Sequence, residues 1–376
     1  MQGQRRFNNL PWGMVALICA IAVIGLATVY SATYTAKGPS SLYYKQLVWV
    51  VIGLAVMTAA VIVDYHTVGR YAYILYAVSL LLLLLVMVIG RTGMGAQRWL
   101  AIGPFAFQPS EFAKISLTLA LARYFAEDPK RGGYDLRDLA IPAVMVALPL
   151  VLVLKQPDLG TAIMLLLTSA LIALIAGLRL RSVFIVLLIG ALAASALFAV
   201  PPVRQKLWGK LKPYQQNRIR AFFDPGADPL GSGYHANQSK IAVGSGQLTG
   251  KGYRKGTQSQ MAFLPERHTD FIFAVLSEER GLIGGGLLLL LYLSLLLTGV
   301  DTATNAKDRL GALMAGGIVC MISLYVFINA GMAVGIVPVV GVPLPLVSYG
   351  GTSIVTTFLA LGLLLNIQIR RFMLFY

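Results

Sequence analysis

Cysteine is almost missing: Cys19 and Cys320 are the only 2 in 376 residues, and they fall in separate apolar runs. That excludes a disulfide framework and a cysteine zinc cluster, and leaves both as small packing residues. The 3 histidines, His66, His235 and His268, are too scattered for ligand spacing, so no metal site is expected. Charge is the third shortage. Only 12% of residues are Asp, Glu, Lys or Arg, against 57% hydrophobic, which is too little charge for a soluble domain of this length.

What abounds is the long apolar run. A hydrocarbon core of about 30 Å is crossed by a helix of about 20 apolar residues. Such stretches recur at 11–32, 44–63, 71–90, 110–126, 139–154, 158–177, 182–202, 271–299, 309–334 and 352–369. The sequence therefore predicts an all-α polytopic membrane protein with about ten transmembrane helices, a single membrane domain over 1–376. The first run lacks a small-residue cleavage site and reads as a retained helix. Glu278, Glu279 and Arg280 move the embedded part of the eighth run toward Leu282. Lys and Arg in short loops mark the cytoplasmic side. Arg5, Arg6, Arg70, Lys130, Arg131, Arg137, Arg179, Arg181, Lys307, Arg309, Arg370 and Arg371 all fall there when the N-terminus is inside, so both termini are expected in the cytoplasm.

Residues 203–269 are too polar to span and too long for a routine connection, which makes them one long extracytoplasmic loop between spans seven and eight. The loop is basic: Arg204, Lys206, Lys210, Lys212, Arg218, Arg220, Lys240, Lys251, Arg254, Lys255 and Arg267 face only Asp224, Asp228 and Glu266. Its partner is either the anionic membrane surface or an anionic substrate such as a lipid diphosphate; no nucleic acid is called for. The glycine-rich stretch 231–260 fails as a phosphate-binding loop, because Ser245 stands where glycine is needed and Gly252 where Ser or Thr is needed. Its glycines read as turns, and HANQSKIAVGS as a short helix lying on the membrane. GIVPVVGVPLPLVSYGG (335–351) is apolar, yet Pro338, Pro343 and Pro345 forbid one regular helix. It is either a re-entrant, cavity-lining loop or an ordinary connection.

The ionisable residues beside the spans gather on one side. Pro109 and Ser110 begin a helix that puts Glu111 and Lys114 on one face, as a self-satisfied ion pair or as cavity-lining groups. Asp158 in QPDLGT and Asp270 in HTDF each read as a helix cap or as a site carboxylate. With Asp270 placed beside a cationic loop, a general base acting on a membrane-bound substrate is one reading, and His268 is the alternative base.

AQRWL (96–100), QPSE (108–111), QPDLGT (156–161), DPLGSGYH (228–235), QSKIAVGSG (238–246), FLPERHTDFIFAVLSEE (263–279) and GVPLPLVSYGG (341–351) resemble the SEDS family of bacterial cell-wall glycosyltransferases, in order and through most of the chain. Arg267 and Gly341 are similar to the elongation, or RodA, branch; Arg280 departs from the apolar residue usual there. The resemblance implies polymerisation of lipid II, whose donor sugar is carried on undecaprenyl diphosphate, at the outer face of the bacterial cytoplasmic membrane. It implies Asp270 as base, Lys114 contacting diphosphate or sugar, and Glu111 positioning it. Asp158 and His268 fall among the implied binding residues, and Lys240, Arg218 and Arg220 are candidate diphosphate ligands by their charge and side. The implied partner is a class B penicillin-binding protein. No cofactor is required, although a divalent cation bridging Asp270 and diphosphate is compatible. PER before HTDF and SEER after it are expected to anchor the helix through ion pairs. Two competing readings remain: a flippase for the lipid-linked precursor, and a scaffold for the penicillin-binding protein.

Overall fold

Backbone N–H and C=O groups in hydrocarbon must be satisfied within their own segment, so apolar runs of spanning length close into helices. The computed structural model describes residues 11–199, 209, 216 and 232–371, apart from 36–37, 94–95, 104, 131, 262 and 265. In chain order these form α1 (Trp12–Thr33), α2 (Ser41–Ile62), the short α3 (Tyr65–Arg70), α4 (Ala72–Ile89), strands β1 (Arg91–Gly93), β2 (Ala96–Ile102) and β3 (Phe105–Phe107), then α5 (Pro109–Glu127). A 3-10 turn (Leu136–Leu139) leads into α6 (Ala140–Lys155), followed by α7 (Leu159–Ala176), α8 (Leu180–Ala199), α9 (Ser232–Ser245), α10 (Thr257–Gln260), α11 (Ile272–Thr304), α12 (Arg309–Val334) and α13 (Gly351–Arg370). Each of the ten expected runs coincides with a helix, and the chain is a multi-pass membrane protein.

Among the described residues, 8 helices are by themselves long and apolar enough to cross a membrane. α5 is not one of them, because it carries Glu111, Lys114, Arg123 and Glu127. Glu111 and Lys114 are enclosed, since α4, α6, α7, α12 and α13 all pack on the helix, whereas Arg123 and Glu127 pair with each other near its C-terminus, where Glu127 is exposed. A polar helix at membrane depth is held inside the bundle, away from lipid.

The three-stranded antiparallel sheet is an addition that the apolar runs do not signal. β2 pairs with β1 at Arg91↔Trp99 and with β3 at Leu100↔Phe107, and the hairpin delivers Gln108 to the start of α5. Arg98 of β2 donates to the carbonyls of Gln156 (2.9 Å) and Pro157, and so ties the sheet to the α6–α7 turn.

At the opposite end of the bundle, arginines satisfy the last carbonyls of neighbouring helices. Arg309 donates to Phe125 and Ala176 (both 3.0 Å), Arg370 to Ile62 (3.3 Å) and Arg123 to Gly69 (3.2 Å). Helix C-termini present such orphan carbonyls, and a cation suits their negative end. α9, the helix expected from HANQSKIAVGS, is present over Ser232–Ser245 and packs on protein. It packs against α11 and α12, buries Ala242, and Ser239 donates to the Ala333 carbonyl (2.9 Å).

Candidate active site

HTDF ends a turn immediately before α11, and three successive carbonyls of that turn are pinned. Tyr349 N–H donates to His268 (2.8 Å), Ser348 Oγ to Thr269 (2.6 Å), and Asn329 Nδ2 to Asp270 (2.9 Å). The same Asn329 amide nitrogen also donates to Val342 O (2.7 Å), which fastens the turn and the proline-rich loop to one α12 side chain. Gly341 lies against the Asp270 carboxylate: a Cβ there would stand 3.1 Å from Oδ2, and its φ of +75° is one that L side chains rarely adopt. Asp270 itself is half-buried.

The proline-rich segment enters the bundle instead of passing over it. Leu344, Leu346 and Val347 are buried, Leu346 O touches Gly25 within α1, and Tyr292 from the interior of α11 donates to Pro345 O. Gln46 of α2 donates to Ser348 O (3.1 Å). Non-helical backbone at that depth is tolerated because protein surrounds it.

Below Asp270 on α12, one helical turn from Asn329, Tyr325 meets the polar pair of α5. Lys114 Nζ donates to Glu111 Oε1 (2.6 Å) and to the Tyr325 hydroxyl, and sits 4.5 Å from the Tyr325 ring centroid. Tyr325 in turn donates to Glu111 Oε2 (3.4 Å). Glu111 and Lys114 are both buried, so the pair is self-satisfied and also part of a polar column leading to the Asp270 turn. The two sequence readings of this pair are not exclusive.

Asp158 is a helix cap in its hydrogen bonds. Oδ1 accepts from Thr161 N–H (3.2 Å), and Oδ2 from Thr161 Oγ1 (2.9 Å) and Gln108 Nε2 (3.3 Å). Two residues on, Gly160 meets the proline-rich loop: a Cβ there would lie 2.6 Å from Val340 O, next to Gly341. His268 has its ring 5.7 Å from that of Tyr349; burial pushes its pKa below the ordinary value, Arg267 adds to this and Glu266 opposes it. Lys240 is exposed on α9, with its side chain across Gly335 at the C-terminus of α12. Arg218 and Arg220 lie outside the described residues.

Of the ion pairs expected to anchor the charges flanking HTDF, one is present, Glu278 with Lys251, and hydrogen bonds hold the others. Arg267 donates to the Ser259 carbonyl, and Glu266 accepts from Thr269 Oγ1 (3.1 Å). Glu278, 0% exposed, accepts from Lys251 Nζ (2.8 Å), Thr257 Oγ1 (3.2 Å), Gln258 N–H (2.9 Å) and Ser259 N–H (3.1 Å). Glu279 accepts from Ser31 of α1. A buried carboxylate needs several donors, and one lysine cannot supply them all.

The glycine-rich stretch has a specific task here. α11 is broken at Gly281 (φ 66°, ψ −165°), and residues 247–252 are spliced into the gap. Lys251 and Gly252 N–H donate to Glu278 O and Glu279 O (both 3.0 Å), while Leu282 and Ile283 N–H donate to Gln247 O (2.8 Å) and Leu248 O (3.1 Å). Two carbonyls before the break and two N–H groups after it thereby find partners. A Cβ on Gly250 or Gly281 would collide with the opposing backbone.

Asn329, Tyr325, Ser348 and Gln46 were missed by sequence reasoning. The available signal was a polar side chain inside an otherwise apolar run, which in a membrane helix points to a hydrogen-bonded interior.

Comparison with known proteins gives this geometry a family. The FtsW/RodA/SpoVE model, described as a cell cycle protein, matches residues 8–372. The peptidoglycan glycosyltransferase MrdB of Escherichia coli K12 is 40% identical over 362 residues, covering 96% of this chain and 94% of that one. Among solved structures, Thermus thermophilus RodA, a rod shape determining protein, superposes with a TM-score of 0.70 at 32% identity, covering 97% and 98% of the two chains. A chain from a peptidoglycan synthase complex that coordinates polymerization and crosslinking superposes with a TM-score of 0.80 at 34% identity, covering 96% and 98%. With its sequence matched by the family model over residues 8–372 and its fold matched over 96% of its length, this chain belongs to the FtsW/RodA/SpoVE family, the SEDS proteins.

Proposed function

We propose that the protein is a peptidoglycan glycosyltransferase of cell elongation, polymerising lipid II at the outer face of the bacterial cytoplasmic membrane with both termini in the cytoplasm. The acceptor sugar's 4-hydroxyl attacks the anomeric carbon of the donor, the glycosidic bond forms with inversion, and undecaprenyl diphosphate leaves. Asp270 accepts the hydroxyl proton, and cations stabilise the departing diphosphate. Lys114, oriented by Glu111, contacts sugar or diphosphate; Lys240, Arg218 and Arg220 supply further positive charge, and Asp158 and His268 border the substrate. A class B penicillin-binding protein receives the product strand, as the similarity to a polymerization and crosslinking complex suggests.

The observation that carries this reading is the fixing of Asp270. A general base must be held within hydrogen-bond reach of one hydroxyl, and the three carbonyl contacts on consecutive residues, which fix the backbone carrying Asp270, support that role. The test is glycan-strand synthesis from purified lipid II, with the partner's transpeptidase blocked, comparing wild type with Asp270→Asn. Polymer from wild type alone supports the assignment. Undiminished polymer from the variant refutes the base, and none from either returns transport or scaffolding. Repeating the wild-type assay with EDTA decides whether a divalent cation assists.

A further inference from the structure

Arg254 and Arg280 take no part in the Asp270 site, and both guanidiniums are laid on tyrosines. Arg254 Cζ lies 3.4 Å from the ring centroid of Tyr34, and Arg280 Cζ 5.4 Å from that of Tyr253. Both arginines are exposed, and among the described residues neither has a carboxylate within ion-pair distance. The adjacent Glu279 carboxylate is buried and turned inward to Ser31. The two cations flank one side chain. Tyr253 precedes Arg254 in the chain and carries the Arg280 guanidinium on its ring. Burial, Glu279 and Tyr30 raise the pKa of its hydroxyl, and Arg254 and Arg280 both oppose that rise, so both charges are within electrostatic reach of it.

Their depth follows from α11. The uncharged stretch 282–300 rises about 28 Å, which matches a hydrocarbon core of about 30 Å. Arg280 therefore stands just beyond the end of the hydrocarbon, at the level of the lipid phosphates. Leu282, Ile283 and Leu248 of the spliced segment are exposed beside it. α1 gives the same level. Residues 253–260 are laid along one of its faces: Tyr253 Oη donates to Ala27 O (2.9 Å), Gln260 Nε2 donates to Ser31 O (3.2 Å), and Arg254 covers Tyr34 at the helix end. Tyr30, Tyr34, Tyr43 and Tyr44 form a continuous aromatic cluster there, with ring centroids 5.0 to 5.7 Å apart. Such amphipathic rings mark the boundary between hydrocarbon and headgroups.

We propose that Arg254 and Arg280 bind the phosphate of an anionic glycerophospholipid, such as phosphatidylglycerol, in the leaflet on the side of the HTDF turn. At that depth the abundant anion is the lipid phosphodiester, and a guanidinium pairs with its oxygens through two parallel N–H···O bonds. Stacking on tyrosine fixes the plane of each guanidinium and leaves its N–H edge for the ligand. Two cations around one phosphate favour a headgroup with net negative charge over one that carries its own ammonium. The acyl chains lie against Leu282 and Ile283, so the bound lipid clamps residues 253–254 to α1 and α11.

The test is native mass spectrometry of the full chain titrated with phosphatidylglycerol or with phosphatidylethanolamine. Wild type should retain one phosphatidylglycerol more tightly than any other lipid, with no phosphatidylethanolamine to match it. Arg254→Gln and Arg280→Gln should each weaken that first binding step about 5-fold, the effect of one cation on an anionic lipid at the membrane surface. Arg91→Gln removes an exposed cation of β1 on the same side and should leave the step unchanged. Equal weakening in all three variants is diffuse attraction to the membrane and overturns the site, as does an effect of only one of the two arginines or of neither. Unchanged phosphatidylethanolamine uptake certifies that each variant is folded. Undecaprenyl diphosphate, titrated in the same way, is the other source of lipid phosphate. If the two variants weaken its binding and spare that of phosphatidylglycerol, the arginines serve that carrier and the proposal falls. These readouts do not depend on Asp270 or on the glycosyltransferase reading.

Discussion

Replacing Gly341 with alanine tests whether the proline-rich loop sets the position of Asp270. Two penalties arise. The φ of +75° is left-handed, which costs an L-residue about 1–2 kcal/mol. The new methyl would lie 3.1 Å from Asp270 Oδ2, so either the carboxylate or the loop must yield by about a few tenths of an ångström. The loop is held by Asn329 and by Tyr292, so the carboxylate is the part that moves. Since about 1 Å of misplacement can cost about 100-fold in rate, a shift of this size corresponds to a loss of about 3- to 10-fold. Gly177→Ala is the control: its φ is +106°, nothing lies within 4 Å of its Cβ position, and it sits at the other end of the bundle. Both variants should lose a few degrees of apparent Tm, and only Gly341→Ala should lose glycan synthesis, read as initial rate at saturating lipid II. Equal activity in the two variants would refute the idea that Gly341 shapes the site.

Lys114→Met leaves the buried Glu111 without its cation and should destabilise by about 3–5 kcal/mol; adding Glu111→Gln should recover most of that in a thermal melt while glycan synthesis stays low. Glu278→Ala strands four donors around a carboxylate that is 0% exposed, so a loss of about 2–4 kcal/mol is expected, larger than for Lys251→Ala. Gly281→Ala or Gly250→Ala should abolish the splice in α11, read as faster proteolysis within 246–260. His268 has a depressed pKa, so the unfolded chain binds its proton more tightly; stability should fall as pH drops below about 6.5, and His268→Gln should flatten that slope.

The membrane helices were legible from the sequence because spanning a bilayer demands about 20 apolar residues, a local property that composition records directly. The α5 pair was legible for the same reason, since Glu111 and Lys114 stand out against their run and their spacing puts them on one face. Both of the sequence's readings for Asp158 were open, and only its bonds to Thr161 and Gln108 made it a cap. The sheet went unseen because short strands leave too few residues for a periodic signal.

What the sequence determined alone is the predominantly helical membrane architecture and the basic composition of residues 203–269. What tertiary structure decided is every relation between distant segments: that the proline-rich loop descends to Tyr292, that Asn329 pins Asp270, and that residues 247–252 mend the break at Gly281. The physical reason is that a broken helix or a bent loop in an apolar setting must find donors and acceptors somewhere. Local sequence states the need, and only the packed bundle supplies the partner.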